Sequence, residues 1–205
     1  MATFVQDAMS GTNWQDLHNR TGAIGAKWTR HPTTASSRWY IFDNKVHCGI
    51  PGILYASGAP ASADYSVECD YTRFTNTAAI SIAGRISTSA ATFYYVYELN
   101  GEIVLAKQIN GVITSFGFDV TGLMGNGATY RLKLEMIGSA IKVYVDGIQK
   151  ISAVDSDITS AGKAGVRSPS SNDAGTGKHI DNFLAYDTST PVSPANSGTQ
   201  IIWMD

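Results

Sequence analysis

The sequence is poor in cysteine, in net charge and in long apolar runs, and each shortage excludes a class of protein. Its two cysteines, Cys48 and Cys69, belong to no CxxC motif or Cys/His cluster, which argues against a disulfide framework or a zinc site and predicts buried free thiols. A net charge of -2 and a pI of about 6.0 give no basic field for nucleic acid or anionic lipid. No run approaches the ~20 apolar residues of a membrane span, and the opening MATFVQDAMSG lacks the charged start and apolar centre of a secretory signal. We expect no nucleic-acid or membrane partner, and a chain that folds in a cytoplasm.

Helical periodicity is nearly absent, and alternation of apolar and polar residues replaces it. Residues 65–71, YSVECDY, place apolar side chains on one face of a strand and polar ones on the other. Residues 92–118 contain three such strands, joined by Asn-Gly dipeptides at 100–101 and 110–111 that tolerate the positive φ angles of two-residue hairpin turns. Residues 130–150 alternate in the same way around an Asp-Gly turn. About a dozen short strands predict an all-β domain, either a two-sheet antiparallel sandwich or a barrel.

The composition changes after Tyr186. The segment DTSTPVSPANSGTQ has no periodicity and contains Pro and Ser at intervals, and it ends in the apolar tip IIWMD. We therefore predict one domain over residues 1–187 and an extended tail over residues 188–205. The tip is expected either to fold back on its own domain or to anchor on a neighbouring subunit, where tryptophan is a frequent hot spot. The anchor residues are Ile201, Ile202, Trp203 and Met204.

A family resemblance begins in the hairpin of residues 130–150. The motif GSAIKVYVDG at 138–147, followed by AGVRS and by the closing segment HIDNF at 179–183, resembles the C-terminal half of concanavalin A-like lectin/glucanase jelly rolls, a superfamily that includes laminin-G-type domains. The resemblance covers residues 64–187, and the early FVQDAMSG resembles the opening strand of that family. It implies a two-sheet jelly-roll sandwich. The stretches ASADYSVECDY and AGRISTSAATFYYVYE are also similar to stand-alone domains of bacteriophage structural proteins and secreted bacterial surface proteins.

Glycoside hydrolases of this superfamily carry their two catalytic carboxylates on one strand in an E-x-D-x-E or E-x-D-x-x-E arrangement, because alternate residues of a strand face the same groove. Glu68 and Asp70 match the first part of that pattern. Thr72 and Arg73 occupy the positions at which the second glutamate would stand. The four histidines fall in separate segments without metal-ligand spacing. The sequence therefore predicts that the protein is not an enzyme.

Many lectin-like jelly rolls bind Ca²⁺ through oxygen ligands on the opening and closing strands. The resemblance places Asp7 and Asp181 at the matching positions and implies a possible calcium site, the only cofactor that the sequence suggests. The alternative is that Asp181 and Asn182 satisfy backbone groups at a sheet edge, as Asx side chains often do.

A sugar site would need polar and aromatic side chains on one exposed sheet or at loop tips. The side chains that oppose the apolar faces of their strands form the predicted glycan-binding set. Trp28, Trp39 and Tyr40 lie in regions rich in loops, with a short strand expected over residues 39–42. Phe93, Tyr95 and Tyr97 are expected in the core, since tyrosine favours strands without any binding role. The predicted set consists of Glu68, Asp70, Arg85, Tyr94 and Glu98.

Three functions follow from these observations and from the resemblance. The first is a non-enzymatic structural protein of a bacteriophage virion, either a capsid decoration or a fibre-like component, assembled in the host cytoplasm and displayed on the virion surface. Its partners would be a capsid or tail protein, further copies of itself, and surface glycans. The second is a secreted or surface carbohydrate-binding module, and the third is a glycoside hydrolase or lyase, which the incomplete carboxylate motif disfavours.

Overall fold

The computed structural model describes residues 1–18, 20–74, 79–120, 124–172, 174 and 176–188, almost entirely as short strands and connections. The predicted anchor residues of the tail lie outside these described residues. A single turn of 3₁₀ helix covers Pro32–Thr34. Within the described residues, no helix is long and apolar enough to cross a membrane. The strands are β1 (Thr3–Asp7), β2 (Gln15–Asp16), β3 (Trp28–Arg30), β4 (Arg38–Phe42), β5 (Lys45–Ile50), β6 (Gly52–Ala56), β7 (Tyr65–Thr72), β8 (Ser81–Ile86), β9 (Phe93–Leu99), β10 (Glu102–Ile109), β11 (Val112–Asp119), β12 (Thr129–Ile137), β13 (Ala140–Val145), β14 (Ile148–Val154), β15 (Lys163–Ser168) and β16 (His179–Asp187).

The strands form two antiparallel sheets. The nine-stranded sheet has the order β14-β13-β12-β7-β16-β5-β4-β2, and β1 pairs with β16 beside this path. The seven-stranded sheet has the order β11-β10-β9-β8-β15-β6-β3. The prediction of an all-β, two-sheet antiparallel sandwich is confirmed.

Turn chemistry sets the register of the hairpins. Asn100, Asn110 and Asp146 adopt φ angles of 55°, 49° and 51°, and each precedes a glycine that also has positive φ. These are the conformations that two-residue hairpin turns require. In the β12–β13 hairpin, Leu132 opposes Val145 and Leu134 opposes Val143, so the alternating pattern places one apolar row on the core side.

The main core lies between the sheets and contains buried side chains from both of them. Trp28 and Trp39, predicted in loop-rich regions, lie in β3 and β4 and are fully buried. Strand β4 confirms the short strand predicted over residues 39–42, and its burial alternates along the strand. Strand β3 has only three residues, too few to show alternation. Cys48 and Cys69 are free and buried, as predicted.

A second apolar cluster covers the outer face of the seven-stranded sheet. It contains Phe93 and Tyr95, whereas their neighbours Tyr94 and Val96 belong to the core between the sheets. Successive residues of a strand face opposite sides. Phe93 and Tyr95 are buried, as predicted, but in the outer cluster, and Tyr97 packs against that cluster. Tyr94 lies in the main core instead. The cluster is completed by Ile53, Ala83, Ile86 and Ala106, with Tyr55, Ala91 and Tyr97 packed against it.

Two cations surround one buried carboxylate at the end of β9. Glu98 is fully buried, and its Oε1 accepts a hydrogen bond of 3.0 Å from Arg73 Nε. Lys178 Nζ lies 2.7 Å from Glu98 Oε2, and the backbone N–H of Gly101 also donates to the carboxylate. Burial of a cation is costly unless a charge of opposite sign accompanies it. Glu98 therefore holds this end of the sandwich together.

We expect Glu98→Ala to lower the free energy of unfolding by about 3–5 kcal/mol, because it leaves two buried cations without their shared carboxylate. Urea denaturation of the variant and of the unchanged protein measures this difference. Glu102→Ala is the matched control, since Glu102 is half-buried and has no ion pair among the described residues. Equal losses in the two variants would contradict the assigned role of Glu98.

Candidate functional site

The structure does not bring the predicted glycan-binding residues together. Glu68 and Asp70 lie on β7, with their side chains on the outer face of the nine-stranded sheet. Arg85, Tyr94 and Glu98 lie on the seven-stranded sheet and are buried. The expectation that all of them line one exposed sheet is therefore wrong.

A bulge in β8 explains the burial of Arg85. Gly84 and Arg85 together oppose Ala164, and Arg85 adopts a φ angle of 51°, which is uncommon outside glycine. The Arg85 guanidinium donates to the backbone carbonyls of Ala63, Ile158 and Gly138 at 3.0, 2.7 and 2.9 Å. Arg85 is therefore a structural residue that joins segments from both sheets.

Glu68 and Asp70 are held by one arginine. Arg131 on β12 donates to Glu68 Oε1 at 2.8 Å and to Asp70 Oδ1 at 3.0 Å. Asn182 Nδ2 donates to Asp70 Oδ2 at 2.7 Å, and the carbonyl of Asn182 accepts from Arg131 at 2.9 Å. The position two residues beyond Asp70 holds Thr72, whose hydroxyl pairs with that of Thr129 at 2.7 Å. This face is a closed polar network.

The predicted calcium ligands do not fit a calcium site. Both oxygens of Asp7 accept from Arg20 Nη1, at 2.6 and 2.8 Å. Trp28 Nε1 and the backbone N–H of Met9 donate to the same carboxylate, each at 2.8 Å. Asp181 Oδ1 instead accepts from the backbone N–H of Asn182 at 2.7 Å, as the alternative explanation expects. The positive charge beside Asp7 is thus the guanidinium of Arg20. The described residues contain no group of three or more His, Cys, Asp or Glu side chains that could hold a metal ion.

Two histidines that are far apart in the sequence meet on β5 and β16. The rings of His47 and His179 lie 5.1 Å apart. Burial is the largest cause that lowers the pKa of His179 to about 4, and the nearby charges of His47 and Lys45 act in the same direction. The carbonyl of Gly177 and the carboxylate of Asp43 oppose this shift. No local pattern in the sequence indicates this pair, because the two residues come together through the pairing of β5 with β16.

A cavity of about 210 Å³ lies against the outer face of the seven-stranded sheet. Arg167 on β15 is opposite Ile53 on β6, and Ile53 belongs to the outer apolar cluster. We call this cavity the Arg167 pocket. Its lining includes Thr34, Ile53, Gln108, Arg167, Ser168 and Pro169.

Two polar groups of the Arg167 pocket lack protein partners. The half-buried Arg167 guanidinium lies 4.9 Å from the ring centre of Tyr95, and no described residue forms an ion pair or hydrogen bond with it. The Oε1 atom of Gln108 is buried and has no hydrogen-bond partner in the described part of the chain. Buried polar groups are normally hydrogen-bonded, so an unpaired group in a cavity marks a place where a ligand can complete the bonding.

Sequence reasoning missed this pocket. Ala164 and Val166 belong to the main core, and their alternation with Arg167 is the one signal that places this arginine on the outer face. Strands β6, β8 and β10 decide which side chains surround Arg167, and none of the described ones is an acidic partner. The sequence alone does not show how these strands align with β15.

Solved structures share this fold, although the chain matches no protein-family model and no curated protein sequence. A protein of unknown function with a galectin-like fold from Bacillus subtilis has a TM-score of 0.59 and 10% identity, over 89% of this chain and 98% of that chain. The carbohydrate binding module CBM66 from Bacillus subtilis has a TM-score of 0.57 and 19% identity, over 78% of this chain and 90% of that chain. A variant of LamA from Zobellia galactanivorans, in complex with laminaritriose and laminaritetraose, has a TM-score of 0.56 and 13% identity, over 91% of this chain and 99% of that chain. These likenesses show the fold, a concanavalin A-like jelly roll.

We expect calcium to leave the melting temperature unchanged, because Arg20 already neutralises the Asp7 carboxylate. A ligand that binds only the folded state raises the melting temperature, so thermal unfolding in millimolar CaCl₂ and in EDTA tests this directly. A higher melting temperature in calcium, abolished by Asp181→Asn, would restore the calcium site.

The free energy of unfolding is expected to fall as the pH is lowered from about 6.5 to about 4. In this window the unfolded His179 binds a proton that the folded imidazole does not, so acid favours the unfolded state. Denaturation of the unchanged protein and of His179→Gln across this range gives the contribution of this residue. An identical pH dependence in both proteins would contradict the low pKa of His179.

Proposed function

We propose that this chain is a non-enzymatic, lectin-like carbohydrate-binding domain that takes a sugar residue in the Arg167 pocket. The observation that supports it most is the cavity itself, in which a guanidinium and a buried amide oxygen have no hydrogen-bond partner in the described part of the chain. Ligand sites commonly combine apolar walls with a few convergent polar groups. Here Ile53, Pro51 and Pro169 form apolar walls, and Gln108 and Arg167 provide the polar groups.

The size of the cavity suits one sugar residue. Its volume of about 210 Å³ is below the roughly 300–1,000 Å³ of sites for drug-sized ligands. Oligosaccharide units beyond the first would extend along the outer face towards solvent. The solved relatives in fold include a carbohydrate binding module and a protein in complex with laminari-oligosaccharides, which supports a sugar ligand without identifying it.

The carboxylates of β7 support a non-enzymatic role. A retaining hydrolase needs one carboxylate that is free to attack the sugar and a second that donates a proton. Glu68 and Asp70 share the Arg131 guanidinium, and the next alternate position is a threonine. A carboxylate that attacked a sugar from either position would first have to give up its ion pair with Arg131.

The test is a glycan array followed by titration calorimetry of the best ligand against Gln108→Met. We expect this variant to weaken binding about tenfold, the value of one hydrogen bond. Its melting temperature is expected to stay equal or to rise, because methionine has a similar length and removes a buried amide oxygen that has no partner. Gln149→Met is the matched control, since Gln149 is exposed on β14 of the other sheet.

Three outcomes count against the proposal. The absence of binding to any glycan would overturn it, as would equal affinities of Gln108→Met and Gln149→Met. The third is cleavage: if chromatography detects shorter sugars after the protein is incubated with an oligosaccharide that it binds, the protein is an enzyme. Loss of that cleavage in Glu68→Gln would then locate the active site on the nine-stranded sheet.

The virion hypothesis stays a prediction. It rests on a resemblance and on the tail of residues 188–205, whose apolar anchor lies outside the described residues. A carbohydrate-binding domain is compatible with display on a virion as well as with a secreted module. Co-sedimentation with capsids, compared between the full chain and a chain that ends at Asp187, distinguishes these settings.

A further inference from the structure

We propose that the sugar bound in the Arg167 pocket carries an anionic group, a carboxylate or a sulfate, and that the Arg167 guanidinium binds this group. This inference rests on the proposed carbohydrate-binding function and specifies the class of ligand. Arg167 provides a positive charge at the pocket, and no described residue that lines the pocket is acidic.

Arg167 differs from the other arginines that are buried or half-buried. Each of those has a carboxylate within ion-pair distance, and Arg85 has three backbone carbonyls as well. Arg167 has an aromatic ring beneath it and no oxygen acceptor among the described residues. The arginine–carboxylate pairs are Arg20–Asp7, Arg30–Asp16, Arg73–Glu98, Arg85–Asp64 and Arg131 with Glu68 and Asp70.

The free-energy cost of removing the charged Arg167 guanidinium from water without a carboxylate beside it indicates an anionic ligand. A guanidinium does not lose its proton in a protein, so Arg167 stays charged when it is partly removed from water. Burial lowers the pKa of Arg167, and the neighbouring Tyr95 and Tyr97 only partly offset this effect. The contact with the Tyr95 ring compensates for some lost hydration. An anion in the pocket would supply the missing charge, as the carboxylates do for the other arginines.

The geometry of a guanidinium also favours an acidic sugar over a neutral one. Its planar fork donates two parallel hydrogen bonds to a carboxylate or a sulfate, and such charge-assisted bonds are about twice as strong as neutral ones. Gln108 offers an amide that can donate to a sugar hydroxyl and an oxygen that can accept from one. Arg167 would thus recognise the acidic group, and Gln108 the ring that carries it.

The experiment measures affinity for acidic sugars and their neutral counterparts by titration calorimetry. The probes are sialyllactose with lactose, trigalacturonate with its methyl ester, and sulfated lactose with lactose. We expect at least one acidic probe to bind about 10- to 100-fold more tightly than its neutral counterpart. The preferred probe identifies the group as a carboxylate or a sulfate.

Arg167→Gln is expected to abolish this preference, and Arg167→Lys to restore part of it, because lysine keeps the charge without the planar fork. Lys142→Gln removes the same charge from β13 in the other sheet and controls for net charge. The melting temperature of each variant shows that it is folded.

The outcomes separate this inference from the proposed function. The inference of an anionic ligand is wrong if neutral and acidic probes bind equally, or if Lys142→Gln removes the preference for acidic probes as fully as Arg167→Gln does. The proposal of carbohydrate binding stands in both cases. If no acidic or neutral glycan binds, both proposals fail.

Discussion

The alternation of side chains along a strand is the constraint on which the other features of this molecule depend. In the seven-stranded sheet, buried apolar side chains lie on both faces, in the core between the sheets and in the outer cluster. On β9, Tyr94 enters the core and Tyr95 enters the outer cluster. A shift by one residue would exchange the two sets. The same alternation sends Glu98 inside, where it pairs with Arg73 and Lys178, and leaves the outer face apolar beneath the Arg167 pocket.

The two outer faces differ in how well their polar groups are satisfied. On the nine-stranded sheet, Arg131, Glu68 and Asp70 bond to one another, so a ligand there would have to replace bonds that already exist. In the Arg167 pocket, Gln108 Oε1 has no hydrogen-bond partner among the residues that the structure describes, so a ligand there would replace no existing bond of this atom. A hydrogen bond formed by an unpaired buried group gains more than one that replaces an existing bond. This difference, more than the number of polar residues, favours the seven-stranded sheet as the binding face.

Much of the fold is predictable from the sequence, because its signals are local. Asn-Gly and Asp-Gly turns define the hairpins, and the clear alternation of β12 and β13 gives their core side correctly. The strand β9, FYYVYEL, has large apolar side chains on both faces, so its alternation does not show which side is the core. The bulge at Arg85 and the short strand that contains Trp28 have no local signal at all. Arg85, Tyr94 and Glu98 lie on the strands with these features, which explains why the predicted glycan-binding residues did not converge.

Arg85 and Arg167 show why residue type alone does not identify a binding group. They lie on neighbouring strands of one sheet, where Arg85 is buried and Arg167 is half-buried. The bulge in β8 turns Arg85 towards three backbone carbonyls, which satisfy its donors and make it part of the framework. Regular pairing in β15 keeps Arg167 on the outer face, over Tyr95 and away from any described acceptor. One backbone irregularity therefore separates a guanidinium that supports the fold from one whose donors are available to a ligand.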